Sequence, residues 1–180
     1  LAALAADNPG ITPLAADLAD DAAITTIAGA VHGPVRIVVQ AAGLPPSGTI
    51  DTITPAEITA GIYAKIGGLL RLVRASEPNL TSGSRLVVLG GHYGYEPSPA
   101  APLAGIANAA LGNLVRSLAD AWGPRGVTVH LVATGPVESP RMRAIAVRTA
   151  ARRGGEVTAE DVLDKYRRGA PLGRLTTIDE

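Results

Sequence analysis

Arg85-Leu86-Val87-Val88-Leu89-Gly90-Gly91-His92-Tyr93-Gly94-Tyr95 is an apolar run that stops at a glycine pair and opens into an aromatic turn. Small apolar residues with helical spacing follow from about Ala101 to Trp122, closed by Gly123-Pro124. A second apolar run, Val127 to Val132, then leads into Thr134-Gly135-Pro136-Val137. Strand, helix and strand in this order make a β-α-β crossover between parallel strands, and such crossovers are right-handed. Ligands of these units lie beyond the carboxyl ends of the strands. The residues after Leu89 and after Ala133 are therefore expected to face whatever the protein binds.

The pattern continues on the amino-terminal side. Thr54-Pro55-Ala56-Glu57 is a capping box with proline at the first helical position, which predicts a helix running to about Ser76, before Glu77-Pro78. Arg36 to Ala42 contains Ile37-Val38-Val39, a short run expected to be buried on both faces of a parallel sheet. Ala22 to Val31 has helical spacing, with Asp20 and Asp21 at the end where a helix dipole favours negative charge. Ile11 to Ala16 is expected to form a short strand, and Leu1 to Ala6 the end of a helix closed by Asn8-Pro9-Gly10. After Pro140 the chain is arginine-rich and helical, with another helix start at Thr158-Ala159-Glu160-Asp161. Thr176 to Glu180 has the look of one more first turn. Strict alternation of strand and helix predicts an α/β fold, a doubly wound parallel sheet in one domain over residues 1–180. Such a sheet needs strands on each side of those found, so the expectation is a partial domain lacking a first βαβ portion and a last strand.

Composition narrows the function classes. The chain has 180 residues, 47% of them hydrophobic and 18% charged, with a formal net charge of zero, so neither a nucleic acid nor an anionic membrane is an expected partner. The cluster Arg148, Arg152 and Arg153 reads as a solvated helix face. No apolar run reaches the ~18 residues of a membrane span. The absence of cysteine excludes disulfides and thiolate chemistry, and His32, His92 and His130 have no metal-ligand spacing, so no metal site is expected. Leu1 to Ala6 lacks the basic start of a signal peptide, which makes the cytoplasm the default location. Mid-strand His130 is expected to be a core histidine.

Asp17-Leu18, Gln40-Ala41-Ala42-Gly43, Thr134-Gly135-Pro136-Val137-Glu138-Ser139 and Pro171-Leu172-Gly173-Arg174, in this order and at these intervals, together resemble the motifs of the short-chain dehydrogenase/reductases over nearly the whole chain. Asp17-Leu18 stands where that family has an Asp-hydrophobic pair at the adenine ring, and Gln40-Ala41-Ala42-Gly43 is similar to its Asn-Asn-Ala-Gly turn. Thr134-Gly135-Pro136-Val137-Glu138-Ser139 resembles the segment beside the nicotinamide, and Pro171-Leu172-Gly173-Arg174 a signature near the carboxyl end. The resemblance implies a Rossmann-like fold and an oxidoreductase using NAD or NADP. It implies cofactor contacts at Asp17, Leu18, Ala42, Gly43, Gly135, Val137 and Ser139, and a small-molecule substrate. It also implies a homo-oligomer built on the helices of residues 54–76 and 101–122. Asp17 has a second reading as a helix cap, and Ser139 as the cap of a helix beginning near Pro140. A glycine-rich phosphate turn is not among these residues, since Gly67-Gly68 falls within a helix and Gly90-Gly91 has no third glycine at the required spacing.

The catalytic positions depart from the family. Its enzymes use a tyrosine as acid/base, a lysine four residues later, a serine at the substrate carbonyl and an asparagine on the preceding helix. Matching Asn108-Ala109-Ala110-Leu111 to the family's Lys-Ala-Ala-Leu puts Ala104 at the tyrosine, Asn108 at the lysine, Gly91 at the serine and Lys65 at the asparagine. A phenol with an ordinary pKa of about 10 needs a nearby cation to exchange protons near neutrality. His92, Tyr93 and Tyr95 in the loop after Gly91, with Lys65 as the cation, are the candidate replacements. Two other outcomes stay open: a non-redox isomerase or lyase, and a catalytically silent homologue that acts as a binding or assembly partner.

Overall fold

The computed structural model describes residues 2–180. Leu1, part of the first expected helix, lies outside the described residues. The chain divides into two compact units, 1–133 and 134–180.

The first unit runs α1 (Ala2–Asp7), α2 (Ala22–Ala30), β1 (Val35–Gln40), α3 (Pro55–Ile62), α4 (Gly68–Ser76), β2 (Leu80–Gly91), α5 (Pro102–Trp122) and β3 (Thr128–Thr134). The sheet order is β1-β2-β3, and β1 and β2 are parallel, with Val38 opposite Leu86 and Gln40 opposite Val88. The fold is α/β with a parallel sheet, as the alternation predicts. The Thr54 capping box forms as read: the Thr54 hydroxyl accepts from the Glu57 amide while the Glu57 carboxylate accepts from the Thr54 amide at 2.8 Å. The helix it starts reaches Ser76, but through a π turn at Tyr63–Gly67 that joins α3 to α4.

One face of the sheet carries the core. Val38, Leu86, Val88 and Val127 are buried with Leu69 and Val73 of α4 and Leu111, Val115 and Trp122 of α5. The other face is open, contrary to the expectation of burial on both sides: Ile37 is 52% and Val39 54% exposed. Strand alternation sends Val38 and Gln40 towards the helices and Ile37 and Val39 away from them. The same alternation corrects His130. It is exposed, beside Thr128 at 2.9 Å, because Val127, Val129 and Leu131 are the residues of that segment that pack on the core.

Two strands differ from expectation. Ile11 to Ala16 forms no strand; Ile11 and Leu14 are 43% and 39% exposed, and without a neighbouring strand its backbone makes no ladder. β2 begins five residues before Arg85. Its register shifts between Val35, opposite Leu80, and Ile37, opposite Arg85. Gly83 accommodates the extra residues at φ 90°, and the Ser84 hydroxyl donates to the Val35 carbonyl at 2.6 Å.

The second unit contains α6 (Pro140–Arg153) and α7 (Ala159–Gly169), whose Met142, Ala146, Val162 and Leu163 share a core with Leu175. Thr158 and Asp161 make a reciprocal capping box at the predicted helix start. Val137 pairs with Thr176 in an isolated parallel bridge, and the Glu138 amide donates to the Thr176 carbonyl at 2.8 Å. Thr176 to Glu180 is not helical, although the Glu180 carboxylate accepts from the Thr177 amide as a cap would.

Candidate functional site

The carboxyl ends of β1 and β2 lie side by side and are tied together by one cation. Lys65 is 6% exposed, and its Nζ donates to the Ala42 carbonyl and to the Leu89 carbonyl, each at 2.8 Å. It comes from the π turn, a distortion that recurs at functional sites. A buried ammonium must find acceptors, and one carbonyl just past the end of β1 and one near the end of β2 supply them. Ala41, Ala42 and Gly43 present exposed backbone just beyond this tie.

Two residues of this region were not legible as site residues. Gln40 is 1% exposed on the helix-facing side, and neither its Nε2 nor its Oε1 has a hydrogen-bond partner. Such unmet capacity costs on the order of 1–3 kcal/mol per group. Arg71, 4% exposed, pairs with Asp21 at 2.7 Å, donates to the Leu18 carbonyl at 3.0 Å and lies over the Tyr63 ring. Its hydrogen bond to Asp21 holds the guanidinium above its ordinary range, against the opposing effect of burial. The only sequence signal for Arg71 was a charged residue among the apolar positions of α4.

Arg71 thereby fixes the segment bearing the predicted adenine contacts. Leu18 lies against Gly68, where an added Cβ would stand 3.3 Å from the Leu18 Cβ. The exposed Asp17 carboxylate accepts from the Ala19 amide at 2.9 Å, so it organises a turn and does not cap α2. In the second unit, Ser139 caps α6 by accepting from the Met142 amide and also donates to the Val137 carbonyl, both at 3.2 Å. Val137 is held by its bridge to Thr176, while the backbone of Gly135 is exposed.

The aromatic loop lies against α5. His92–Gly94 forms a 3-10 turn closed by the Tyr95 amide on the His92 carbonyl at 2.8 Å. A Cβ on Gly94 would come within 2.9 Å of the Asn108 carbonyl carbon and 3.0 Å of the Ala109 nitrogen, so only glycine permits this approach. The His92 and Tyr93 rings are 4.1 Å apart and tilted by 39°. Tyr93 and Tyr95 enter different cavities. Tyr93 lines one of about 620 Å³, while Tyr95, 70% exposed, joins Asn108, Arg116 and Leu131 around one of about 520 Å³. Lys65 reaches the root of this loop through Leu89, two residues before Gly91.

A family model described as enoyl-(acyl carrier protein) reductase matches residues 1–180. The chain belongs to the short-chain dehydrogenase/reductase family. It is 29% identical over 128 residues to the diacetyl reductase [(S)-acetoin forming] of Staphylococcus aureus, covering 69% of this chain and 50% of that protein. It is 30% identical over 110 residues to the enoyl-[acyl-carrier-protein] reductase [NADH] of Synechocystis sp., covering 61% and 38%. The chain spans about half or less of the length of these curated relatives. A short-chain dehydrogenase/reductase from Brucella melitensis shares the fold at a TM-score of 0.81 and 22% identity, over 98% of this chain and 69% of that one. L-sorbose reductase from Gluconobacter frateurii, solved with NADPH and L-sorbose, has a TM-score of 0.79 at 19% identity, over 91% and 64%. Among the described residues no helix is long and apolar enough to cross a membrane.

Proposed function

We propose that the protein is a nicotinamide-dependent reductase of a small carbonyl or enoyl compound, with its proton chemistry moved from α5 to the His92–Tyr95 loop. The observation that carries this reading is the buried Lys65 ammonium bonded to the Leu89 carbonyl, at the root of a loop that bears His92, Tyr93 and Tyr95. On α5 itself, Ala104 has no proton to give and Asn108 has no charge.

The residues fit the adenosine half of a dinucleotide. The exposed Asp17 carboxylate is an acceptor, Leu18 lies against Gly68 of α4 with its carbonyl bonded to Arg71, and Ala42 and Gly43 are exposed residues. In the second unit, Gly135, Val137 and Ser139 are the residues that the family resemblance assigns to the nicotinamide, and the Ser139 hydroxyl already accepts the capping bond from the Met142 amide. A bound nicotinamide cofactor in its reduced form, NADH or NADPH, would supply the hydride. Tyr93 or Tyr95 hands a proton to the substrate oxygen or carbon, and His92, whose ring centroid is 4.1 Å from that of Tyr93, returns it from solvent. Lys65 ties Ala42 to Leu89 beneath the loop.

Turnover should fall at least 100-fold in a Tyr93→Phe and Tyr95→Phe double variant, since proton transfer by a placed side chain contributes about 10²–10⁴ in rate. Full turnover in that variant would eliminate the relocated acid. The missing phenol on α5 also favours a second reading, a non-redox or silent homologue that binds a partner. Turnover without a change in nicotinamide absorbance, or no turnover beside tight association with an active relative, selects that reading.

A further inference from the structure

The cavities on the two sides of the His92–Gly94 turn differ in charge. The one at Tyr95 contains the Arg116 side chain. The one at Tyr93 is walled by Ile50, Tyr93, Pro97, Pro99 and Ile106, with Ser98 as its other hydroxyl, and none of its lining residues among those described is charged. Its about 620 Å³ falls within the ~300–1,000 Å³ of small-molecule sites.

This cavity is assembled by the loops that leave the carboxyl ends of adjacent parallel strands. Ile50 follows β1 and Pro97 to Pro99 follow β2, and the Ile50 amide joins them by donating to the Pro99 carbonyl at 2.8 Å. Prolines fix the backbone of the wall before any ligand arrives. The floor is α5, with Gly105 and Ala109 among the lining residues; a Cβ on Gly105 would stand 3.2 Å from the Tyr93 carbonyl oxygen. An ionised group entering here would exchange its hydration for apolar walls and meet no charged side chain among the described lining residues.

We propose that the cavity at Tyr93 takes the uncharged apolar body of the substrate, an aliphatic or aromatic ketone or enone, and discriminates against compounds carrying a carboxylate or phosphate on that body. Describing the occupant as a substrate rests on the reductase reading; the cavity's selectivity does not.

The two are separated by measuring binding and turnover independently on the full-length protein, with decan-2-one and 9-oxodecanoate, which differ only in a methyl against a carboxylate at the far end. Decan-2-one should shift the amide resonances of Ile50, Gly94, Gly105, Ile106 and Ala109 and bind roughly tenfold or more tightly than 9-oxodecanoate, the difference expected from stranding an unpaired charge. Ile106 is 43% exposed, so Ile106→Lys should fold normally by circular dichroism while placing an ammonium at the rim. That variant should erase or invert the preference. Equal affinities in the parent protein, shifts confined to other residues, or a preference unmoved by Ile106→Lys would overturn the proposal. Selective decan-2-one binding without nicotinamide oxidation supports the cavity while sinking the reductase reading. Oxidation driven equally by both compounds does the reverse.

Discussion

Lys65 has its acceptors on two segments that are 23 and 24 residues away in sequence, Ala42 and Leu89. Replacing it with methionine keeps most of the side-chain volume but removes a charged donor from two backbone carbonyls. Unfolding free energy should fall by about 2–3 kcal/mol, read as a lower urea midpoint at unchanged slope. A midpoint equal to that of the parent would show that the tie contributes nothing to stability. Lys65 was conspicuous in the sequence because Lys165 is the only other lysine. Gln40 and Arg71 were not, because a polar residue at a strand end or on a helix reads alike whether it is buried or exposed. Burial is set by what packs over a residue, and for Arg71 that includes Asp21, fifty positions away.

At the scale of elements, the start of α3 was legible to the residue because a capping box is local. Thr54→Ala removes one half of it and should cost about 1 kcal/mol in thermal or urea denaturation. The other half carries a pH dependence. The Thr54 backbone amide, its hydroxyl and the Gly48 amide all hold the Glu57 carboxyl below its ordinary 4.5. Since the folded value lies below the unfolded one, this stabilisation is complete above the ordinary value and is lost as pH falls through the lowered one. Amide exchange in the first turn of α3 should therefore quicken relative to the global rate as pH drops below the ordinary carboxylate range. A protection ratio that does not change with pH would refute this. The contact between the aromatic turn and α5 makes a different demand, because a Cβ on Gly94 meets backbone and no rotamer change relieves it. Gly94→Ala should keep α5 by far-UV circular dichroism, perturb the Tyr93 and Tyr95 resonances, and lower turnover at least tenfold, as a displacement of about 1 Å can cost 10²-fold. Unmoved tyrosine resonances would contradict the close approach. The first residues of β2 escaped sequence reading because Thr81-Ser82-Gly83-Ser84 has no apolar alternation; its register is set by a bulge and by the Ser84 bond to Val35.

For the whole molecule, we propose self-association through the helices of residues 54–76 and 101–122. Tyr63 on the first is 52% exposed, which leaves apolar surface for a second copy. Light scattering at micromolar concentration should give at least a dimer, and a monomer would refute it. The alternation of strands and helices, their caps and the family to which they belong were determined by the sequence alone, because periods of 2 and 3.6 residues and capping boxes are properties of short segments. Tertiary structure alone decided which face of β1 is covered, where the Lys65 ammonium finds its acceptors, and that Tyr93 and Tyr95 enter separate cavities. Each of these depends on residues brought together from distant parts of the chain, and neither spacing nor composition records such meetings.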